Sequence, residues 1–204
     1  MRLLRIFSLF LALFLLSVPA KAASPANDVL QEGLQKVLDL IKSPNYSNPA
    51  TRDSERSKIA TVVQQYFDFH EFSSRTVGAR WKQFSAEEQK NFSDVFADLL
   101  IYTYVNKIDG YNGEQIQYVG ERAGKDRVEI MTNVTMKDGK KIPVAYRMLP
   151  KDSTWKVYDV LLENISLVKN YRTQFQDILK TSTPQQLIER IRAKAKEARE
   201  KPGK

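Results

Sequence analysis

The stretch YFDFHEFSSRTVGARW, residues 66–81, contains the only histidine of the chain. His70 stands between Asp68 and Glu71, and an imidazole flanked by carboxylates is raw material for general acid–base chemistry. Such a site also needs a nucleophile or a bound water, and donors for a developing oxyanion. The chain has no G-x-S-x-G, no H-E-x-x-H and no glycine-rich phosphate loop to supply them. With one histidine and no cysteine, a metal centre would have to be built from carboxylates, and no D-x-D-x-D loop is present. Local helix signals account for the same residues. Asp68 and Glu71 have the spacing of a capping box, Phe67 and Phe72 that of a hydrophobic staple, and Gly78 is placed to end the helix with positive φ. The expectation is no catalytic residue and no metal ligand, with His70 a bystander at the second helical position.

Periodicity frames this short helix. Residues 29–41 carry Leu30, Leu34, Val37, Leu38 and Ile41 at helical spacing, stopped by Ser43-Pro44. The segment SPNYSNPATRDS is read as a loop. A second helix shows Ile59, Val62, Val63, Tyr66 and Phe67 on one stripe. Ser85 and Glu88 form a capping box for a long helix with Phe92, Val95, Phe96, Leu99 and Leu100 on its face, and Gly110 and Gly113 close this helical half. From about Gln115 the period becomes two, giving strands in EQIQYVGER, RVEIMTNVTM, KIPVAYRML and WKVYDVLLE. Asp138-Gly139 is a hairpin turn between the second and third, and a Pro150-to-Thr154 loop precedes the fourth. The fourth strand is apolar on both parities, so both of its faces should be covered. Asn164 is placed to cap the next helix, which bears Val168, Tyr171, Phe175, Ile178 and Leu179. Thr183-Pro184 starts the last helix, whose thinning apolar stripe predicts a solvated far end. Helices, four consecutive antiparallel strands and helices again make an α+β layer protein.

Composition narrows the function. Residues 1–22 read as a cleaved secretory signal: Arg2 and Arg5, an apolar run from Ile6 to Leu16, and Ala20-Lys21-Ala22. No other segment is apolar enough to span a bilayer, and no cysteine is present for a disulfide framework. The formal charge of +8 is concentrated at the ends. The signal carries +3, the tail from Arg190 to Lys204 carries +5, and the body between them is neutral. A neutral body argues against nucleic acid as partner. The basic tail could dock on anionic lipid or an acidic surface, or simply be a solvated helix end.

Three blocks, FDFHEFSSRTVGARW, FSDVFADLLIYTYVNKI and YRMLPKDSTWKVYDVLLENISLVKNYRTQF, resemble the MlaC/toluene-tolerance auxiliary family, periplasmic components of an ABC-type phospholipid transport system. The resemblance covers nearly all of residues 23–204. It implies one lipid-binding domain: mostly helical over 23–110, an antiparallel sheet over 111–163, and C-terminal helices over 164–204. The implied fold is a four-stranded NTF2-like sheet packed against helices, with a small helical subdomain and a deep apolar cavity. Phospholipid would be cargo rather than cofactor, carried by a monomer. The implied partners are an outer-membrane lipoprotein complex and an inner-membrane MCE-domain protein with its ABC transporter, and the implied role is maintenance of outer-membrane lipid asymmetry.

The physics tolerates that job. Two acyl chains hold roughly 30 methylenes, whose exposure to water would cost on the order of 24 kcal/mol at ~0.8 kcal/mol each. A carrier must therefore keep apolar space beyond its own packing. Leu99, Val128, Ile130, Val134, Val144, Tyr146, Tyr158, Val160, Val168 and Phe175 could line it, or could be ordinary filled core. Arg75 and Arg147 are candidates for a headgroup phosphate at its mouth. Two other readings stay open. A small NTF2-like enzyme would turn His70 with Asp68 into a pocket, and a periplasmic adaptor would have a filled core.

Overall fold

The computed structural model describes residues 24–105, 115–136 and 138–200. The signal expected over 1–22, the helix end expected at Gly110 and Gly113, Lys137 of the hairpin turn and the last four residues of the tail lie outside them. Helix α1 (Pro25–Lys42) opens on Ser24, whose side chain accepts from the Asn27 N–H, with Pro25 at the first helical position. The expected loop after it contains a single helical turn, α2 (Pro44–Ser47), because Ser43 caps it and Pro44 is already set to helical φ. Helices α3 (Arg52–Tyr66) and α4 (Phe69–Val77) follow, then a 3₁₀ turn over Gly78–Gln83. Gly78 leaves α4 at φ 71°, as a helix-ending glycine should. The expected capping box opens α5 (Ala86–Val105): Ser85 N–H donates to Glu88 Oε2 at 2.8 Å and Glu88 N–H to Ser85 Oγ at 3.2 Å.

Strands β1 (Gln115–Ala123), β2 (Val128–Thr135), β3 (Lys141–Lys151), β4 (Thr154–Leu162) and β5 (Ile165–Ser166) pair antiparallel in chain order. The sheet thus has one short strand more than the four expected. Tight turns cause the difference. Glu163 and Asn164 lie at φ 49° and 66°, which folds the chain straight back onto Leu161 and Leu162. Asn164 is therefore a turn residue, and Ser166 caps α6 (Leu167–Leu179) by accepting from the Lys169 N–H. Asp152 and Ser153, at φ 49° and 63°, likewise shrink the expected Pro150-to-Thr154 loop to two residues. Helix α7 (Pro184–Glu200) packs on α5 through Leu187, Ile188, Ile191 and Ala195, and beyond Ala195 most of its residues are exposed. Arg199 donates to the Tyr102 hydroxyl at 2.6 Å, and its guanidinium lies 4.4 Å from the ring centre.

Two features of this frame control the interior. First, the buried apolar residues form two clusters. A large one joins the sheet to α4, α5, α6, α7 and the first half of α1, through Ala26 and Leu30; a small one joins Ile41, Tyr46, Ile59, Ala60, Ala97, Ile101 and Val105 of α1, α2, α3 and α5. A domain of this size ordinarily has one contiguous core, so the division calls for a cause. Second, β4 carries a bulge: Met148 pairs with Val157 and Arg147 with Asp159, leaving Tyr158 unmatched. The extra residue switches the parity of β4, so Val157 on one side of the bulge and Val160 on the other face the same way. This is the physical source of the two-parity apolar pattern in the sequence.

Beyond the bulge, the Asp159 side chain is 2% exposed and collects three donors. Ser166 Oγ lies at 2.7 Å, the Val168 N–H at 3.1 Å and Arg147 Nη1 at 3.1 Å, so one carboxylate fastens β3, β5 and the start of α6. Breaking a buried charge network by removing one partner costs roughly 3–5 kcal/mol. Asp159→Ala is expected to destabilise the protein by about 3 kcal/mol in urea unfolding, with an unchanged denaturant slope; a loss under about 1 kcal/mol would mean that the carboxylate does not hold this corner.

Candidate binding cavity

Between the two apolar clusters lies a cavity of about 380 Å³. Pockets for small-molecule ligands run from about 300 to 1,000 Å³, so the space is of ligand size. Its floor is the sheet, where Val144, Tyr146 and Met148 alternate along β3 and Val157, Val160 and Leu162 come from β4 across the bulge. Its roof is α1 with Leu30, Gly33, Leu34 and Val37, and α3 with Ile59, Val62, Val63 and Tyr66. The sides are α5, through Leu100, Ile101, Tyr104 and Val105, and the start of α6, through Leu167. One end is closed by Phe67, Phe69 and Phe72.

That aromatic end comes from the segment that first suggested catalysis. Phe67 stacks on Phe69 at 5.4 Å between ring centres, and Phe69 meets Phe72 at 6.4 Å. The polar residues between them are off the cavity wall, and the carboxylates are occupied. Asp68 accepts from the Glu71 N–H at 3.0 Å and from Lys151 Nζ at 2.7 Å. The reciprocal half of the expected capping box is replaced: the Asp68 N–H donates to Val157 C=O at 2.9 Å, and the Glu71 carboxylate pairs with Arg75. His70 is exposed, with its ring edge-on to Trp81 at 5.5 Å, and it is not on the cavity wall. The His70–Asp68 pocket that the enzyme reading requires is thus not assembled. Among the described residues, no three His, Cys, Asp or Glu side chains cluster to hold a metal ion.

Of the ten residues proposed from sequence for an apolar lining, Val144, Tyr146 and Val160 lie on the wall. Val128, Ile130 and Val134 pair across strands with Met148, Tyr146 and Ile142, so they share the cavity face of the sheet, but as packed core beside the wall. Leu99, Val168 and Phe175 belong to the filled core around Phe92, Phe96 and Tyr171, where Phe96 and Phe175 stand 5.2 Å apart. Tyr158 is buried beneath Arg75, whose guanidinium is 4.3 Å from the ring centre. The two arginines considered for a headgroup are already paired. Arg75 binds Glu71 at 2.6 Å, and Arg147 binds Glu129 at 2.8 Å and Asp159 at 3.1 Å, on the sheet face opposite Tyr146. Sequence reasoning found the stripes on α1 and α3 but did not assign them to the wall. An interior glycine in α1, facing a large residue on α3, was the available signal.

The wall is chemically uniform. Among the described residues it carries no ionisable group except the phenols of Tyr66, Tyr104 and Tyr146. Burial pushes the Tyr104 and Tyr146 hydroxyls up from their ordinary values, so both stay neutral at any physiological pH. Such a space can solvate hydrocarbon and offers nothing to stabilise a charge. Among the described residues, no helix is long and apolar enough to cross a membrane.

Comparison with known proteins agrees with this geometry. The family model described as MlaC protein matches residues 31–193. The intermembrane phospholipid transport system binding protein MlaC of Haemophilus influenzae is 23% identical over 171 residues, covering 79% of this chain and 80% of that protein. The toluene tolerance protein ttg2D of Pseudomonas putida is 26% identical over 161 residues, covering 78% and 74%. A solved structure of a phospholipid-binding protein from Ralstonia solanacearum, in complex with a phospholipid, superposes with a TM-score of 0.74 at 25% identity, covering 86% of this chain and 99% of that one.

Alkaline titration tests the burial of the phenols beside the cavity. Burial pushes Tyr171, packed on Phe96 and Phe175, up to about 12. A phenol raised above its unfolded value of about 10 contributes stability that is complete below that pH and is lost as pH rises through the folded value. Stability should therefore be level with respect to these groups up to about pH 10 and fall above it. Tyr171→Phe should flatten the fall. Phenolate absorbance appearing for every tyrosine near the ordinary value, with the fold intact, would contradict the burial.

Proposed function

The chain belongs to the MlaC protein family, and from that premise we propose that it is a soluble periplasmic carrier of phospholipid, without covalent chemistry of its own. The single observation that carries the reading is the apolar cavity between the sheet and α1–α3. The space is of ligand size and its wall is almost wholly apolar, so it suits a hydrocarbon occupant better than water. The wall chemistry suits hydrocarbon, and the relatives' phospholipid ligand supports the reading that the occupant is the acyl tails of a glycerophospholipid.

In this account the tails lie against Val144, Tyr146, Val160 and the facing helices, while the polar headgroup remains at the surface. The carrier acts as a monomer. It exchanges lipid with an outer-membrane lipoprotein complex and with an inner-membrane MCE-domain protein and its ABC transporter, and so helps maintain outer-membrane lipid asymmetry. Support for this wider setting comes from the family and from the relatives' role in intermembrane phospholipid transport. The reading needs no cofactor. A filled-core adaptor is disfavoured by the cavity itself, and an enzyme by the outward His70.

Native mass spectrometry and lipid extraction of the purified protein test this directly. The expected result is co-purifying phospholipid, which reloads from vesicles after the protein is stripped and refolded. Stripping should also lower the melting temperature, since a ligand at about 100 times its Kd adds roughly 2.7 kcal/mol to the folded state. A protein that arrives empty, takes up no lipid and melts at the same temperature with or without vesicles would overturn the proposal.

A further inference from the structure

Helix α1 has one glycine in its interior, Gly33, where helix propensity alone would favour alanine. Its position explains it. A Cβ at Gly33 would stand 2.8 Å from both Cγ and Cδ1 of Tyr66 and 3.1 Å from Cδ2, so the phenol ring of α3 is seated directly on the α1 backbone. Cβ atoms essentially never come that close to carbon, so any side chain at position 33 must move the ring. The far end of the ring is tethered. The Tyr66 hydroxyl accepts from Lys36 Nζ at 2.9 Å, and Lys36 is itself paired with Glu32 at 2.7 Å. Both Gly33 and Tyr66 are on the cavity wall. The ring thus touches α1 and also lines the cavity, so a ring displaced from α1 can be pushed into the tail space.

We propose that the Gly33–Tyr66 contact sets the acyl-chain capacity of the cavity: Gly33 is the notch that withdraws the Tyr66 ring from the tail space, and Tyr66 is the residue that limits chain length. This deepens the carrier reading and rests on it. Where α1 and α3 meet over the cavity, the closest approach is one ring against one missing methyl group. The ligand class at issue is a saturated hydrocarbon chain, whether on a phospholipid or as a free fatty acid.

The test uses the full mature chain with free fatty acids of graded chain length as probes, alongside mass analysis of the co-purified lipid. Each methylene excluded from the cavity lowers affinity about fourfold. Gly33→Ala is expected to weaken the longest chains by at least that factor while leaving short ones unchanged, and to shift co-purified lipid toward shorter tails. Tyr66→Leu alone should strengthen the longest chains, and combined with Gly33→Ala it should restore their binding. Tyr66→Phe, which keeps the ring and loses only the hydroxyl, should keep the wild-type cut-off. An unchanged chain-length profile in Tyr66→Leu overturns the inference even if Gly33→Ala fails to fold. A Gly33→Ala loss that Tyr66→Leu does not restore also overturns it, marking Gly33 as purely structural. Failure of the carrier reading looks different, as wild-type protein that carries neither phospholipid nor any fatty acid.

Discussion

The joint between the α3–α4 corner and the bulged strand β4 is the interaction on which the rest of the interior depends. Phe67 bridges to Val157 as a parallel partner, and the next amide, of Asp68, donates to the Val157 carbonyl at 2.9 Å. The Asp68 carboxylate then caps α4 and binds Lys151 across 83 residues of chain. Lys156 adds a bond to the Gln65 carbonyl at the end of α3. These contacts fasten three phenylalanines and Val157 together along the cavity wall. Asp68 is taken up by this fastening and Glu71 by Arg75, and neither lies on the cavity wall.

An apolar space that stays open runs against the usual preference of side chains to fill it. Here the cost is spread over two solid regions that cannot slide together. On one side, Phe92, Phe96, Tyr171 and Phe175 interlock between α5 and α6 in edge-to-face and tilted pairs, with centroid distances from 5.0 to 5.6 Å. On the other, Ile41, Tyr46, Ile59 and Ile101 bind α1 and α3 to α5. The Asp159 corner keeps α6 in register with β4, so that Leu167 reaches the wall while Val168 turns to the core. Both regions extend beyond the wall, to Phe92, Tyr171 and Phe175 on one side and Ile41 and Tyr46 on the other.

Much of the frame was legible in the sequence because its signals are local. Ser85 with Glu88, Gly78 and the change of period near Gln115 each act within a few residues, and each appears where its chemistry places it. Two boundaries were misread where a turn with two left-handed residues replaced a loop, since Glu163 and Ser153 are not residue types that announce such geometry. The wall was less legible for a different reason. Leu99 and Leu100 are both buried and adjacent in sequence, yet one turns into the filled core and the other into the cavity. Hydrophobic periodicity reports that a residue leaves water, not whether a neighbour or empty space receives it. Bulges are also silent in sequence, so the parity switch at Tyr158 emerged only with the pairing of β3 and β4.

The central claim is that the space between sheet and helical roof receives acyl tails. A phospholipid with a photoreactive group in its tail tests it most directly, loaded into the protein and mapped after illumination by peptide mass spectrometry. The account predicts crosslinks to peptides carrying Leu100 and Tyr104 of α5, Val157 and Val160 of β4, and Val63 and Tyr66 of α3. Crosslinks confined to the exposed basic face of α7, with none on those three elements, would contradict it.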